Sequence, residues 1–108
     1  MALRAARAAE STKAEEIDVL DLRQKTPVTD FFVICHGRNR LHVQAIAERV
    51  EEALPGRLHH REGAEANSWV LLDFGAVVVH VFQEETRRFY DLERLWGDAD
   101  HLDWRAAQ

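Results

Sequence analysis

The chain has one cysteine, two prolines, five glycines and one tyrosine in 108 residues, and no excess of positive charge. A lone cysteine forms no internal disulfide, so stability must come from packing, and a reducing cytoplasm is the expected compartment. Fourteen Lys and Arg against nineteen Asp and Glu give a formal net charge of −5. That balance argues against a direct grip on phosphate backbones as the main activity and favours a basic or neutral partner surface. No run approaches the roughly 18 apolar residues that cross a bilayer, and the first segment carries Glu10, Glu15 and Glu16 where a secretory signal would be apolar. A soluble, unprocessed protein without a membrane role is expected. Internal repeats and low-complexity segments are also missing. What is present, 46% hydrophobic and 31% charged residues, suffices for one compact domain over residues 1–108 and leaves nothing for a second.

Ala, Arg and Glu without Gly or Pro predict a first helix over about Leu3 to Ala14. Ile17 to Leu22 is a short β-like run, stopped at Pro27, whose ring fixes its own φ and turns Thr26 away from helix. Phe31 to Cys35 is continuously apolar and reads as a strand buried on both faces. Val43, Ile46, Ala47, Val50 and Leu54 form one stripe of an amphipathic helix over Arg40 to Leu54, ended by Pro55-Gly56. Arg57 to Glu62 suits an edge strand, and Gly63 to Ser68 a loop. Trp69 to Phe74 and Ala76 to Phe82 make a hairpin hinged at Gly75. Glu84 to Trp96 reads as a closing helix with Phe89, Leu92 and Trp96 in its stripe, and the acidic tail Asp98 to Gln108 is expected to fray at its end. The order α, β, β, α, β, β, β, α implies an α/β or α+β domain with helices packed on a central mixed sheet.

A Phe74-Gly75 loop pairs Asp73 with Ala76, Leu71 with Val78 and Trp69 with His80. Val70, Leu72, Phe74, Val77, Val79 and Val81 then share an all-apolar core face. The opposite face, with Trp69, Leu71, Asp73, Val78, His80 and Phe82, is too apolar for free solvent yet carries an Asp, a His and a Trp. A helix, a second copy or a binding partner is expected to cover it.

The chemistry-bearing residues favour bland readings. Cys35 closes an apolar strand, where a free thiol packs as a small hydrophobe rather than serving as a nucleophile for His36 or His42. His59 and His60 point to opposite faces of any regular strand, and no metal-ligand spacing is present, so no metal or cofactor is expected. Gly37-Arg38-Asn39-Arg40 joins strand to helix with a single glycine, far short of a phosphate loop. Asp73 has no acidic neighbour at i+2 to balance a divalent ion. Thr29-Asp30 and Asp18 suit turn and helix caps. Residues 84–108 hold seven acids and four arginines, which favours a basic partner at that end.

Ile17-Asp18-Val19-Leu20-Asp21-Leu22, Thr29 to Gly37, Gln44-Ala45-Ile46-Ala47, Trp69 to Gly75, Val78 to Phe82 and Arg87 to Trp96 together resemble the ribosomal silencing factor family, also called RsfS or Iojap-like. The likeness runs in order over about residues 3–99; each piece is a modest signal and the ordered set is specific. It implies a nucleotidyltransferase-like topology without transferase activity. It further implies binding to the large ribosomal subunit through ribosomal protein L-fourteen, steric exclusion of the small subunit, lowered translation in scarcity, and a homodimer when free. The family pattern marks Trp69, Asp73, His80, Arg87, Tyr90, Leu92 and Leu95 as lining or shaping the partner surface. Departures fall at Phe31, where relatives often carry Tyr, and at His36, where a small hydroxyl residue is usual. Two alternatives stand beside this reading: a nucleotidyl- or phosphotransferase using Arg38, Arg40 and Asp73, and a homodimeric scaffold for another protein.

Overall fold

A computed structural model describes residues 1–63 and 67–106. Its elements are α1 (Ala2–Ser11), β1 (Glu15–Asp21), β2 (Phe31–Gly37), α2 (Arg40–Ala53), β3 (His60–Glu62), β4 (Trp69–Asp73), β5 (Val77–Gln83), α3 (Glu84–Tyr90), α4 (Leu92–Leu95) and β6 (Asp100–His101). Six strands form one sheet in the order β3-β4-β5-β2-β1-β6, with β2 and β5 parallel at its centre and the other pairs antiparallel. The mixed α/β class read from the sequence holds, with one more helix and one more strand than expected.

Side-chain alternation divides the sheet as predicted. Val70, Leu72, Phe74, Val77, Val79 and Val81 are buried with Val43, Ile46, Ala47 and Val50 of α2 and with the alanines of α1. Ala5, Ala6 and Ala9 are fully buried, and their small side chains let α1 lie close to the sheet and to α2. α2 begins where expected because Asn39 Oδ1 accepts the His42 N–H at 2.9 Å, which settles one of the free amides of the first turn. α1 stops at Ser11, short of the predicted Ala14. The Ser11 and Thr12 hydroxyls donate to the Ala8 and Ala9 carbonyls at 2.6 and 2.9 Å, and Lys13 turns to φ 62°.

The hairpin register differs from the predicted one. Phe74 donates its N–H to the Val77 carbonyl at 2.8 Å, the two-residue loop is Gly75-Ala76, and Trp69 pairs with Phe82, Leu71 with His80 and Asp73 with Val78. Gly75 takes the positive φ of +86° at the first loop position, and Asp73 Oδ1 accepts its N–H at 2.8 Å. A Phe74-Gly75 loop would carry the Phe74 ring out of the core, where it is now buried. The shift is by two residues, so both faces keep their predicted members.

The edge strand expected over Arg57 to Glu62 is present only in its last three residues, as β3. Of the Gly63 to Ser68 loop, residues 64–66 lie outside the described residues; Gly63 is required there because a Cβ on it would stand 1.8 Å from the Trp69 carbonyl oxygen. The tail packs back on the sheet as far as it is described. β6 pairs with β1, His101 Nδ1 lies 2.8 Å from Asp18 Oδ1, and buried Trp104 donates its indole N–H to the Ile17 carbonyl at 3.3 Å. Asp18 therefore sits within β1 against a histidine instead of capping a turn. Fraying at Gln108 falls outside the described residues.

Candidate docking site

The predicted single helix over Glu84 to Trp96 is broken at Asp91, which adopts φ 47°, ψ 56° between α3 and α4. Asp tolerates this left-handed conformation better than most residues, and its N–H still reaches the Arg87 carbonyl at 2.8 Å. Arg87 fastens the corner to the sheet. Its buried guanidinium donates to both Glu93 carboxylate oxygens at 2.8 and 3.3 Å, approaches His36 Nδ1 at 3.0 Å and reaches the Glu15 carbonyl at 3.4 Å. With α4 redirected, Leu92 and Trp96 pack on Leu20, Leu22, Ile34, Phe82 and Ala99, so part of the second sheet face is covered by the chain itself.

The break turns other side chains outward. Phe89, expected in the buried stripe, is 81% exposed; Tyr90 is 51% and Leu95 71% exposed. Phe89 and Tyr90 meet edge to face at 5.1 Å, Tyr90 lies 4.6 Å from Trp69, and Trp69 lies 4.9 Å from Phe82. Two shallow hollows flank this file of rings. One of about 440 Å³ lies between Ser68, Trp69, Glu85 and Phe89, and one of about 550 Å³ between Arg88, Tyr90, Arg94 and Leu95. An exposed aromatic patch rimmed by charges is the composition of a recognition surface.

The residues marked from the sequence divide by position. Trp69, Tyr90 and Leu95 form the patch. His80 stands directly behind it: Trp69 Nε1 donates to His80 Nδ1 at 3.1 Å, and burial pulls the His80 pKa down to about 4, so the ring is neutral at pH 7. Leu92 and Arg87 face inward and hold the corner in shape. Asp73 lies at the hairpin end of β4. Phe89 was missed because a helical stripe assumes an unbroken helix, and no Gly or Pro announces the break.

The residues of the transferase alternative are not brought together. Arg38 follows the C-terminal end of β2, which runs parallel to β5 and ends beside Gln83, whereas Asp73 pairs with Val78 near the start of β5. Five strand residues separate the two ends, roughly 17 Å. Asn39 and Arg40 serve as the start of α2. Among the described residues no group of three or more His, Cys, Asp or Glu is placed to hold a metal ion. Cys35 is fully buried, and burial pushes its thiol up to about 12, far from a thiolate at neutral pH. No described helix is long and apolar enough to cross a membrane.

Fold and site together define a small mixed-sheet α/β protein that presents an aromatic surface patch on a broken helix. The family model described as ribosomal silencing factor during starvation matches residues 1–108. A ribosomal silencing factor RsfS from Halalkalibacterium halodurans is 42% identical over 98 residues, 88% of this chain and 84% of the relative; one from Bacillus subtilis is 42% identical over 102 residues, 92% and 86%. A crystal structure of a Chromobacterium violaceum protein superposes with a TM-score of 0.83 at 36% identity, covering 86% of this chain and 80% of that one. The chain belongs to the ribosomal silencing factor family, RsfS, as its sequence resemblance implied.

Proposed function

We propose that this chain is a non-enzymatic repressor of translation. It seats the Trp69, Tyr90, Phe89 and Leu95 patch on the large ribosomal subunit through ribosomal protein L-fourteen and excludes the small subunit sterically. The observation that carries this reading is the patch itself. Three large apolar side chains stand more than half exposed on a corner that Arg87 holds rigid, and rigid aromatic anchors are the groups that dominate protein recognition. A steric mechanism needs no catalytic group and no cofactor, and the dispersed placement of Arg38, Arg40 and Asp73 accords with that. The acidic balance of the chain favours encounter with a basic ribosomal protein. A second copy can cover the same apolar patch in the free protein, which makes the patch the proposed homodimer contact as well.

The test is sedimentation with isolated large subunits followed by addition of small subunits. The wild type should travel with free large subunits and lower the yield of joined ribosomes; absence from the large-subunit fraction at physiological salt rejects the proposal. Sedimentation of the free protein across a concentration series reads the homodimer directly.

A further inference from the structure

A second recessed site lies on the same sheet face, beyond Trp69 and toward β3. It is a groove of about 380 Å³ walled mainly by apolar groups, among them Val28, Phe32, Leu71 and Trp96. Two of its lining residues are polar, buried and unsatisfied: Thr29 is 5% and His80 4% exposed, and neither Thr29 Oγ1 nor His80 Nε2 has a hydrogen-bond partner. Buried polar atoms are almost always paired, so two orphans in one groove indicate a missing partner.

The protonation of His80 is fixed by its neighbour. An indole N–H only donates, so His80 Nδ1 accepts from Trp69 and the single proton of the neutral ring sits on Nε2. The groove therefore offers a donor at His80, a hydroxyl at Thr29 and a carboxylate at Asp73, whose Oδ1 already accepts the Gly75 N–H. Asp73 pairs with Val78 and His80 lies two residues further along β5 on the same face, a diagonal separation of roughly 7–8 Å. Phe32 and Trp96 meet edge to face at 6.1 Å beside them and supply flat apolar contact.

We propose that this groove binds an uncharged, planar nitrogen heterocycle of the nucleobase or nucleoside class, with a ring acceptor on His80 Nε2–H, an adjacent N–H donor toward Asp73 and a further polar group on Thr29 Oγ1. Such rings carry an acceptor and a donor side by side on one edge, the complements of an N–H and a carboxylate, and their faces suit the aromatic wall. A phosphate would meet the carboxylates of Asp73 and Glu62, against which stands one imidazole, His60, already 3.3 Å from Glu62, and the two like charges disfavour it. Contact with the shielded atoms requires small rotamer changes of the wall side chains, of the size common on binding. The site does not depend on the ribosomal reading, since it uses the other side of His80 from the Trp69 patch.

The test is titration calorimetry of the full chain with adenosine, guanosine, cytidine, uridine and their 5′-monophosphates, with Trp fluorescence as a second readout. At least one nucleoside should bind saturably, about tenfold tighter than its monophosphate. Thr29→Val, which keeps the side-chain shape, should weaken it about fivefold, and Leu71→Trp, which fills the groove, should abolish it, each with an unchanged circular dichroism spectrum. If Leu71→Trp fails to fold, Thr29→Val decides alone. No saturable nucleoside binding, monophosphates binding equally well, or binding indifferent to the variants overturns the proposal.

Discussion

Trp69 and His80 stand on adjacent strands, with the indole Nε1–H of one donating at 3.1 Å to Nδ1 of the other. The bond ties an exposed-face aromatic to a buried imidazole and determines where the imidazole proton resides. Trp69→Phe keeps most of the ring body but leaves both His80 nitrogens without partners. A loss of about 1–2 kcal/mol in urea denaturation is expected.

The buried imidazole also makes stability depend on pH. Its pKa in the folded chain is about 4 against an ordinary value of 6.5, because burial disfavours the charged ring. Between those values the unfolded chain takes up a proton that the folded chain refuses. Stability therefore rises with pH through this window and is lost as pH falls from 6.5 toward 4, by up to about 3 kcal/mol. His80→Gln, which retains an acceptor for the indole, should flatten that part of the curve measured by urea titration at successive pH values.

Leu95→Ala removes an exposed side chain and should leave the melting temperature within about 3 °C of wild type. Tyr90→Ala also loses the ring contact with Trp69 and should lower it by about 3–8 °C. Binding to large subunits should weaken by about tenfold or more for an anchor residue. Phe89→Ser is expected to behave alike. Unchanged binding in all three would remove the patch from the interface.

Arg87 and Arg88 are adjacent and behave oppositely. Arg87 is buried against Glu93 and His36, whereas Arg88 pairs with Glu84 at 2.7 Å in solvent. Arg87→Met strands the Glu93 carboxylate and should cost about 3 kcal/mol. Arg88→Ala should stay within about 0.5 kcal/mol. Thermal melts of the two variants separate the structural cation from the surface one.

Cys35 should resist thiol reagents in the native state. Burial keeps it protonated, up to about 12, and removes access, so labelling by an aromatic disulfide should proceed only as fast as the chain opens and become immediate in denaturant.

The sequence made some levels of this molecule legible and hid others, for definite reasons. Alternation over Trp69 to Phe82 sorts residues between faces because the strand period is two; the same periodicity is blind to a slip of two residues, so the loop at Gly75-Ala76 had to come from the burial of Phe74. Stripe counting placed α2, whose Asn39 cap and Pro55-Gly56 stop are both written locally. It failed at Asp91, where the chain breaks without Gly or Pro under the pull of Leu92 and Trp96 toward Leu20 and Phe82. Thus Phe89 was assigned inward. β6 is only two residues long and polar, and Trp104 is held by a distant carbonyl at Ile17. The unpaired atoms of Thr29 and His80 depend on what surrounds them, which no local pattern encodes.

The parallel pairing of β2 with β5 bears on how the chain is made. Phe31 pairs with Val77, about 46 residues away along the chain, and every rung of that central ladder spans a similar distance. The cost of closing so large a loop falls before its contacts form, which slows folding relative to helical domains of equal size. During synthesis, the middle of the sheet cannot assemble until β5 has left the ribosome, and the broken helix that carries Tyr90 follows it. Leu92 and Trp96 of that corner rest on Ile34 and Phe82, so the corner takes its final shape only once the β2–β5 ladder has closed.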